Sequence, residues 1–401
     1  MAPLFPRLLV AAAAAAILGA LATAAAVDGG GNGYTRVFSF GDSLTDTGNA
    51  LHLPCTGGGG PASRPPYGET FFRRPTGRAS DGRLAVDFIV EAMRLPHPAP
   101  YLAGGKTAAD FRHGVNLAVG GSTALAPVFY EGRGLKTFVP VSLANQTVWF
   151  ENVVQLLGSS DHGRRKIMAS SLFIVGEIGV NDYLVSLVGN LTVGEVKSFV
   201  PHIVGAIRSV VNEVIAAGAT TVVVPGMIPL GCEPQLLALY QGGGGDDAGD
   251  YDPKSGCMTR LNDLAEHHNR ALNHALAELR RAHPGVSLVY AELYRAVTDI
   301  VVSPGRYGFR DMPLAACCGG GGGPYNFNMT AFCGAAGATA CAVPSEYVSW
   351  DGVHFTEAAN RHIACAVLNG RPYDGGAPPT MSTVTAWPAA AEVGRSRIGC
   401  S

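Results

Sequence analysis

Short apolar segments alternate with longer helical ones along this chain of 401 residues, and this alternation constrains the fold more than any other feature. The apolar segments are rich in β-forming residues, and several stop at glycine, as buried strands do. We predict strands over 37–40, 114–119, 171–178, 220–224 and 286–290. We predict helices over 84–93, 145–157, 193–217, 259–282 and 356–368. Continuous apolar strands that alternate with helices indicate an α/β fold, in which helices cover both faces of a parallel sheet.

The segments that follow the predicted strands carry small and polar residues. In open parallel sheets, ligands bind beyond the carboxyl ends of the strands, so residues that follow the strands meet at one edge. Ser43, Gly121 and Asn181 each follow a predicted strand. We therefore expect these three residues to lie close together, although they are far apart in the chain.

A serine near the start of the chain and an aspartate–histidine pair near its end form a candidate catalytic set. Ser43 stands in a Gly-Asp-Ser-Leu sequence, and Asp351 and His354 are three residues apart just before the last predicted helix. A serine hydroxyl becomes a good nucleophile only when a base removes its proton during attack. His354 can be this base, and Asp351 can hold the imidazole in the required tautomer. We also expect Thr356 to cap the last helix, because its hydroxyl can accept from a free N–H in the first turn.

Acyl transfer also requires hydrogen-bond donors that stabilise the oxyanion of the tetrahedral intermediate. The candidate donors are the backbone N–H of Ser43, the backbone N–H of Gly121 and the side-chain amide of Asn181. Each of these residues alone is more typical of a turn or a helix cap. Asp351 and His354 alone are more typical of a solvated acid and a satisfied histidine. The order of the four segments and their places at strand ends favour a catalytic site.

Two other groups offer alternatives. Ser122 stands in Gly-Gly-Ser-Thr-Ala, which nearly matches the Gly-x-Ser-x-Gly nucleophile motif, so it competes with Ser43 for that role. His267 and His268 adjoin a glutamate on a predicted helix, which suggests a metal ligand pair. Adjacent helical residues point to different faces, so we interpret them as part of a solvated helix face. The cysteine spacing does not match that of a structural zinc site.

The first 26 residues have the pattern of a secretory signal peptide. Arg7 precedes an apolar run over 8–21, and an Ala-Ala-Ala cleavage sequence ends at residue 26. A membrane anchor is the alternative, but the run is shorter than the roughly 20 residues that a transmembrane helix needs. We therefore expect a protein that is secreted, or that stays elsewhere in the secretory pathway, without stable membrane insertion. We expect one domain over 27–370 and a loosely ordered tail over 371–401.

The charge and the cysteines of the chain narrow the class further. The chain has 29 basic and 31 acidic residues and no long basic run, which argues against nucleic-acid binding. All nine cysteines follow the predicted leader, and in an exported protein they favour disulfides. An odd number leaves one cysteine over, for which we predict Cys400. We predict a bond between Cys232 and Cys257. We expect four others to pair among themselves, namely Cys317, Cys318, Cys333 and Cys341.

Three Asn-x-Thr sequences, at Asn145, Asn190 and Asn328, are candidate glycosylation sites. In an exported protein an exposed asparagine in this sequence can carry a glycan. An unmodified polar residue is the alternative at each position.

Eight segments, spread over almost the whole chain after the leader, can be compared with known families. They read FSFGDSLTDTGN at 38–49, PPYGETFF at 65–72, PTGRASDGRL at 75–84, NLAVGGSTA at 116–124, GEIGVNDY at 176–183, VPGMIPLGC at 224–232, YNFN at 325–328 and SWDGVHFTEAA at 349–359. Together they resemble the plant-type GDSL esterases/lipases of the SGNH hydrolase superfamily. The resemblance implies a three-layer α/β/α sandwich of the flavodoxin-like kind, with a parallel sheet of about five strands.

The same resemblance implies a carboxylic ester hydrolase that works through an acyl-enzyme, without a metal or another cofactor. It makes Ser43 the nucleophile, His354 the base and Asp351 its orienting acid. It makes Gly121 and Asn181 oxyanion donors beside the N–H of Ser43. All the matching segments are intact, so the resemblance predicts an active enzyme.

A finer resemblance is to the branch that includes sinapine esterase, acetylajmalan esterase and grass esterases that deacetylate xylan. It implies small acyl esters on a cell-wall polysaccharide or a secreted metabolite as substrate, rather than long-chain lipids. Two alternatives are a wall-associated or defence binding protein that keeps the fold without catalysis, and a hydroxynitrile lyase that uses a Ser-His site.

Overall fold

A five-stranded parallel sheet lies at the centre of the protein. In a computed structural model its strands are β1 Arg36–Phe40, β2 Gly114–Asn116, β3 Ser171–Val175, β4 Thr221–Pro225 and β5 Ser287–Ala291. Their order is β2–β1–β3–β4–β5, and all neighbouring pairs are parallel. The prediction of a parallel sheet of about five strands is confirmed.

The structure describes residues 33–56, 60–105, 107–240, 250–369 and 395–400. The described residues from Tyr34 onward belong to one folded unit. The predicted leader over 1–26 lies outside the described residues, as does most of the predicted tail.

Helices cover both faces of the sheet and complete a three-layer α/β/α sandwich. They are α1 Ala85–Ala92, α2 Pro127–Glu131, α3 Leu143–Leu157, α4 Asp161–Ala169, α5 Val180–Val188, α6 Val193–Lys197, α7 Val200–Ala217, α8 Pro234–Tyr240, α9 Thr259–Ala282, α10 Leu293–Val302 and α11 Glu357–Leu368. Helix α7 packs against α3 and α9, whereas α11 packs against α1 and α10. A small antiparallel pair, β6 Cys318–Gly319 and β7 Thr339–Ala340, lies outside the main sheet.

Four phenylalanines join the central strands to helix α3. Phe38 of β1 and Phe173 of β3 lie opposite each other in the sheet and stack with their ring centroids 5.2 Å apart. Phe150 of α3 contacts both rings edge-on and also contacts Phe40. All four side chains are fully buried. Truncation of a buried phenylalanine to alanine costs about 3–5 kcal/mol, so this cluster fixes the strand that leads into the Ser43 turn.

Several predicted boundaries differ from the observed ones. The predicted helix over 193–217 is two helices, α6 and α7, because Pro201 lacks an N–H and is suited to the first turn of a new helix. The predicted strand over 171–178 ends at Val175, and the chain then enters α5 at Val180. Thr356 caps α11 as predicted, since its hydroxyl oxygen accepts from the N–H of Ala359.

Four disulfides stabilise the described part of the chain. The bond between Cys232 and Cys257 is confirmed. The four clustered cysteines pair among themselves as expected, in the bonds Cys317–Cys341 and Cys318–Cys333.

The prediction that Cys400 is the spare cysteine is wrong. Cys400 is bonded to Cys365 of α11, and the unpaired cysteine among the described residues is the exposed Cys55. The described end of the tail returns to the domain, where Ile398 of the short helix Ser396–Ile398 is buried. A cysteine's position near the end of the sequence does not indicate whether that part of the chain packs against the domain.

The interpretation of both adjacent histidines as a solvated helix face is wrong for His268. His268 of α9 is buried, and its Nδ1 is 2.8 Å from the hydroxyl of Tyr183. Burial, together with the charge of His267, lowers the pKa of His268 to about 3, so this imidazole is neutral. His267 is half-buried on the same helix.

One described segment, Val193–Ala217, is long and apolar enough to cross a membrane by length and composition alone. It comprises α6 and α7, and buried side chains such as Val200, Ile203 and Val211 face the core. A core helix of a soluble protein passes the same test, so we assign no membrane span to it.

Candidate active site

The turn after β1 places Ser43 at the carboxyl edge of the sheet. Gly41 allows this turn, because its φ is +148° and a Cβ atom there would lie 2.8 Å from the carbonyl oxygen of Glu177. The N–H of Asp42 donates to that same carbonyl over 3.2 Å. The Ser43 turn is therefore pressed against the loop that leads from β3 into α5, where Asn181 lies.

The structure brings Ser43, His354 and Asp351 together. The Nε2 atom of His354 is 2.8 Å from the Oγ atom of Ser43, although 311 residues separate them in the chain. The Nδ1 atom of His354 is 2.7 Å from Oδ2 of Asp351. Each ring nitrogen thus has one partner, and the order is that of a nucleophile, a base and an orienting acid.

The short spacing of the aspartate and the histidine is explained by a tight turn before α11. Oδ1 of Asp351 accepts from the backbone N–H of Val353 and from that of His354, over 3.0 and 2.8 Å. The N–H of Gly352 donates to the hydroxyl of Ser349 over 3.0 Å. The carboxylate therefore holds the backbone of its own turn with one oxygen and the imidazole with the other.

Burial and charge act in opposite directions on these two groups. Burial lowers the pKa of His354, but the charge and hydrogen bond of Asp351 and the charge of Asp42 outweigh it, so the pKa is raised above its ordinary value. Burial by itself raises the pKa of Asp351, but the charge of His354 and the hydrogen bonds that the carboxylate accepts lower it overall. Asp351 is therefore ionised at neutral pH and favours the imidazolium that forms when His354 takes a proton.

Two of the three predicted oxyanion donors have free N–H groups. Within the described residues, neither the backbone N–H of Ser43 nor that of Gly121 donates to a protein acceptor. Both residues are half-buried. Gly121 has a φ of +83°, and a Cβ atom there would lie 3.2 Å from the Cβ of Phe138, so a side chain at this position would be strained and crowded.

The third predicted donor, Asn181, is engaged differently. Its Nδ2 atom donates to Oδ2 of Asp42 and to the carbonyl oxygen of Ser122, each over 3.0 Å. An asparagine amide has two hydrogens, so both are used in this arrangement. Asn181 thus links the nucleophile turn to the Gly121 loop, and it reaches an oxyanion only by releasing or sharing one of these bonds.

Asp42 is a buried carboxylate that the sequence analysis did not include in the site. Its Oδ1 accepts from the N–H of Leu44, and its Oδ2 accepts from Asn181. Burial is the largest influence and raises the pKa of Asp42 well above its ordinary value. Asp42 directly precedes Ser43 in the Gly-Asp-Ser-Leu sequence, and this position was the one sequence signal that could have placed it in the site.

Asp46 connects the Ser43 turn to the Gly121 loop and was also missed. Its buried carboxylate accepts from four backbone N–H groups. The bonds to Oδ1 come from Gly48 and Asn49, and those to Oδ2 come from Ala50 and Gly120. The bond to Gly120 is 2.8 Å long. Because Gly120 immediately precedes Gly121, this one carboxylate fixes the position of a candidate oxyanion donor relative to the nucleophile.

Ser122, the alternative nucleophile, does not meet a base. Its side chain is fully buried, and its hydroxyl donates to the carbonyl oxygen of Gly41 over 3.0 Å. Gln146 donates to the same hydroxyl over 3.2 Å. Through these contacts Ser122 helps to hold the backbone of the Ser43 turn in place.

A cleft beside His354 contains another buried carboxyl group. Its wall includes Glu233, Ser349, Val353 and His354. Among the described residues, neither carboxyl oxygen of Glu233 has a hydrogen-bond partner. Burial, together with the charges of Asp42 and Asp351, raises the pKa of Glu233 well above its ordinary value, so the charged form of this group beside the imidazole is disfavoured.

Within the described ranges, no group of three or more His, Cys, Asp or Glu side chains could hold a metal ion.

The three predicted glycosylation sites, Asn145, Asn190 and Asn328, are all exposed. Asn145 also serves the start of α3, because its Oδ1 accepts from the N–H of Ser142 over 2.9 Å.

A parallel α/β/α sandwich with a Ser–His–Asp array at the carboxyl edge of its sheet has the architecture of a serine hydrolase. Comparison with known proteins narrows this class. Residues 37–367 match the model of the GDSL-like lipase/acylhydrolase family, and the chain belongs to this family.

Two relatives show how far the similarity extends. A GDSL esterase/lipase of Arabidopsis thaliana is 42% identical over 340 residues, which cover 85% of each chain. Sinapine esterase of Brassica napus is 42% identical over 342 residues, which cover 85% of this chain and 86% of the relative. The chain is thus a carboxylic ester hydrolase, and these findings favour neither the binding-protein nor the hydroxynitrile lyase alternative.

Proposed function

We propose that this protein is an exported serine esterase that removes short acyl groups, such as acetyl, from a cell-wall polysaccharide such as xylan or from a secreted metabolite. Ser43 forms an acyl-enzyme in this reaction. The observation that carries the proposal is the imidazole of His354, which has Ser43 Oγ at 2.8 Å on one nitrogen and Asp351 Oδ2 at 2.7 Å on the other.

The geometry supports a two-step reaction. Ser43 Oγ attacks the ester carbonyl carbon while its proton passes to Nε2 of His354. As the bond to the alcohol breaks, His354 returns this proton to the leaving oxygen, and the acyl group remains on Ser43. Water then attacks the acyl-enzyme, gives a proton to His354 and releases the carboxylic acid, after which the proton returns to Ser43. Asp351 stabilises the imidazolium at each stage.

The oxyanion is stabilised by the free N–H groups of Ser43 and Gly121 and by the amide of Asn181. Asn181 takes part by turning one amide hydrogen from its present acceptor toward the substrate. Asn181→Ala should lower kcat about 10²–10³-fold with little change in KM, as loss of one oxyanion donor does in other enzymes. A kcat within twofold of the wild type would remove Asn181 from the oxyanion site, and circular dichroism would control for folding.

Two observations support export, and a third supports short acyl substrates. Four disulfides are formed in the described chain, and such bonds persist in oxidising compartments. Three glycosylation sequences are exposed. A relative of 42% identity is named sinapine esterase, which is an enzyme for a small ester. We extend that substrate class to this chain and include acetyl esters of wall polysaccharides in it.

The nucleophile is tested first with an active-site probe. The wild-type protein, Ser43→Ala and Ser122→Ala are treated with a fluorophosphonate, which labels activated serines. We expect label on the wild type and on Ser122→Ala, and none on Ser43→Ala. Label that persists on Ser43→Ala and is lost from Ser122→Ala would transfer the role to Ser122.

The substrate is tested by acid release from acetylated xylan, a phenolic choline ester and a long-chain glyceride. Acetate release from xylan that disappears in Ser43→Ala supports a wall-polysaccharide deacetylase. Release only from the choline ester assigns the protein to metabolite hydrolysis. Release only from the glyceride contradicts the short-acyl proposal, and no release from any of the three contradicts the proposed esterase activity.

A further inference from the structure

Asp351 has a hydrogen-bond partner that comes from a distant part of the chain. The hydroxyl of Tyr67 donates to Oδ2 of Asp351 over 2.7 Å, although 284 residues separate the two. This oxygen is the same one that holds Nδ1 of His354, also at 2.7 Å. Tyr67 and Asp351 are each about 1% exposed, so water does not compete for this bond.

The tyrosine completes the set of donors around the carboxylate. Oδ1 of Asp351 accepts from the backbone N–H groups of Val353 and His354, and Oδ2 accepts from the imidazole and from Tyr67. Four donors thus surround one buried carboxylate. Burial, followed by the charge of Asp351, raises the pKa of the Tyr67 phenol well above its ordinary value, so the hydroxyl keeps its proton and is a donor at neutral pH.

The position of Tyr67 is fixed by rigid neighbours. Its ring contacts the indole of Trp350 edge-on, with the centroids 5.8 Å apart, and Trp350 directly precedes Asp351. The two rings form a small buried cluster with Cys317, Cys318 and Cys333. The N–H of Cys318 donates to the carbonyl oxygen of Trp350 over 2.7 Å. The disulfide-bonded segment therefore holds the strip of backbone that carries the orienting acid.

We propose that Tyr67 is a positioning residue for ester hydrolysis, acting through Asp351. Its hydroxyl fixes the plane of the carboxylate, so that Oδ2 stays directed at the imidazole. It also shares the negative charge of Oδ2, which limits how strongly Asp351 holds the imidazolium. This inference rests on the proposed roles of Ser43, His354 and Asp351.

The charged groups around the imidazole decide the sign of the expected pH effect. Asp351 and Asp42 both favour the imidazolium of His354, whereas burial raises the pKa of Glu233 in the adjoining cleft and disfavours its charged form. The charge of Arg64 lowers the pKa of the Tyr67 phenol, but by less than burial and Asp351 raise it. Removal of the Tyr67 hydroxyl leaves more negative charge on Oδ2 of Asp351, so the imidazolium becomes more stable and the acid limb of the pH profile moves to higher pH.

The test compares Tyr67→Phe with a matched control, Tyr183→Phe. Tyr183 is also a fully buried tyrosine whose hydroxyl has His268 as its side-chain partner, and among the described residues no hydrogen bond joins it to the Ser–His–Asp array. We expect Tyr67→Phe to lower kcat about 10- to 100-fold with KM nearly unchanged, because a hydrogen bond to a charged group is lost. The acid limb of kcat/KM should move up, and Tyr183→Phe should match the wild type in both respects.

A double-mutant cycle separates positioning from general destabilisation. In the Asp351→Asn background, Tyr67→Phe should cause no further loss of kcat, because the hydroxyl acts through that carboxylate. An equal loss in both backgrounds would overturn the proposal, as would a wild-type kcat or an acid limb that does not rise in Tyr67→Phe. Ser43→Ala identifies failure at the earlier stage, since normal turnover in that variant contradicts the proposed function itself.

A second substitution keeps the test valid should Tyr67→Phe fold poorly. 3-Fluorotyrosine at position 67 retains both the ring and the hydroxyl donor. We expect it to keep kcat close to that of the wild type and to lower the acid limb, because its phenol is a stronger donor. A 3-fluorotyrosine enzyme whose kcat falls about tenfold or whose acid limb does not fall would contradict the inference.

Discussion

The carboxylate of Asp46 offers the sharpest test of how the fold positions the site. Asp46→Asn keeps the shape of the side chain but replaces one acceptor oxygen with an NH₂ group. If Oδ2 is replaced, the bonds from Ala50 and Gly120 are lost, and if Oδ1 is replaced, the bonds from Gly48 and Asn49 are lost. In either orientation two backbone N–H groups lose their acceptor and face the NH₂ group of the asparagine in a buried environment.

The magnitude follows from the number of bonds. A hydrogen bond to a charged group contributes about 1.5–3 kcal/mol, so two of them amount to about 3–6 kcal/mol. Asp46 is only 1% exposed, so solvent does not reduce this value appreciably. Unfolding entropy for a domain of this size is roughly 0.7 kcal/mol/K, which converts the loss to a fall in Tm of about 4–9 °C. If the new NH₂ group takes the place of Oδ2, kcat should also fall about tenfold or more, because Gly120 then no longer fixes the neighbouring N–H of Gly121.

The assay is thermal unfolding followed by circular dichroism, together with hydrolysis of a soluble acetyl ester. Asp252→Asn is the control, because Asp252 also accepts from the backbone N–H groups of a turn, those of Lys254 and Ser255, but these bonds stay within its own turn and do not join the Ser43 turn to the Gly121 loop. It should leave kcat unchanged and lower Tm less than Asp46→Asn does. An Asp46→Asn protein with the Tm and kcat of the wild type would refute the reasoning.

Two further predictions concern pH and the disulfides. His354 must be neutral to take a proton, and its pKa is raised above the ordinary 6.5, so kcat/KM should fall as pH drops through a limb above 6.5. Asp351→Asn removes the charge that raises this pKa, so the limb should move down, and a limb that stays or rises would contradict the assignment. Cys400→Ser opens a bond that closes 35 residues of chain and should cost about 3–4 kcal/mol, whereas Cys55→Ser should leave Tm unchanged; equal melting curves for the two variants would contradict this.

The parallel sheet and the meeting of distant residues at its edge could be predicted because they follow from chain-wide physical rules. Apolar segments such as the one that became Ser171–Val175 must be buried on both faces, which requires helices on each side. In such a sheet the carboxyl ends lie together, so Ser43 and Asn181 meet whatever loops intervene. Helix boundaries were harder to predict, since the break at Pro201 depends on one missing N–H within a largely apolar segment.

The residues that support the site could not be predicted from periodicity, because each acts through a contact whose partner is distant or is backbone. Asp46 binds only N–H groups, which every residue has, so no pattern of side chains marks it. Tyr67 is 284 residues from Asp351 in the chain, and a single buried hydroxyl produces no periodic pattern in the sequence. The nucleophile and its base are recognisable because their chemistry restricts residue type. The groups that orient them are restricted by geometry, and geometry first appears when the chain has folded.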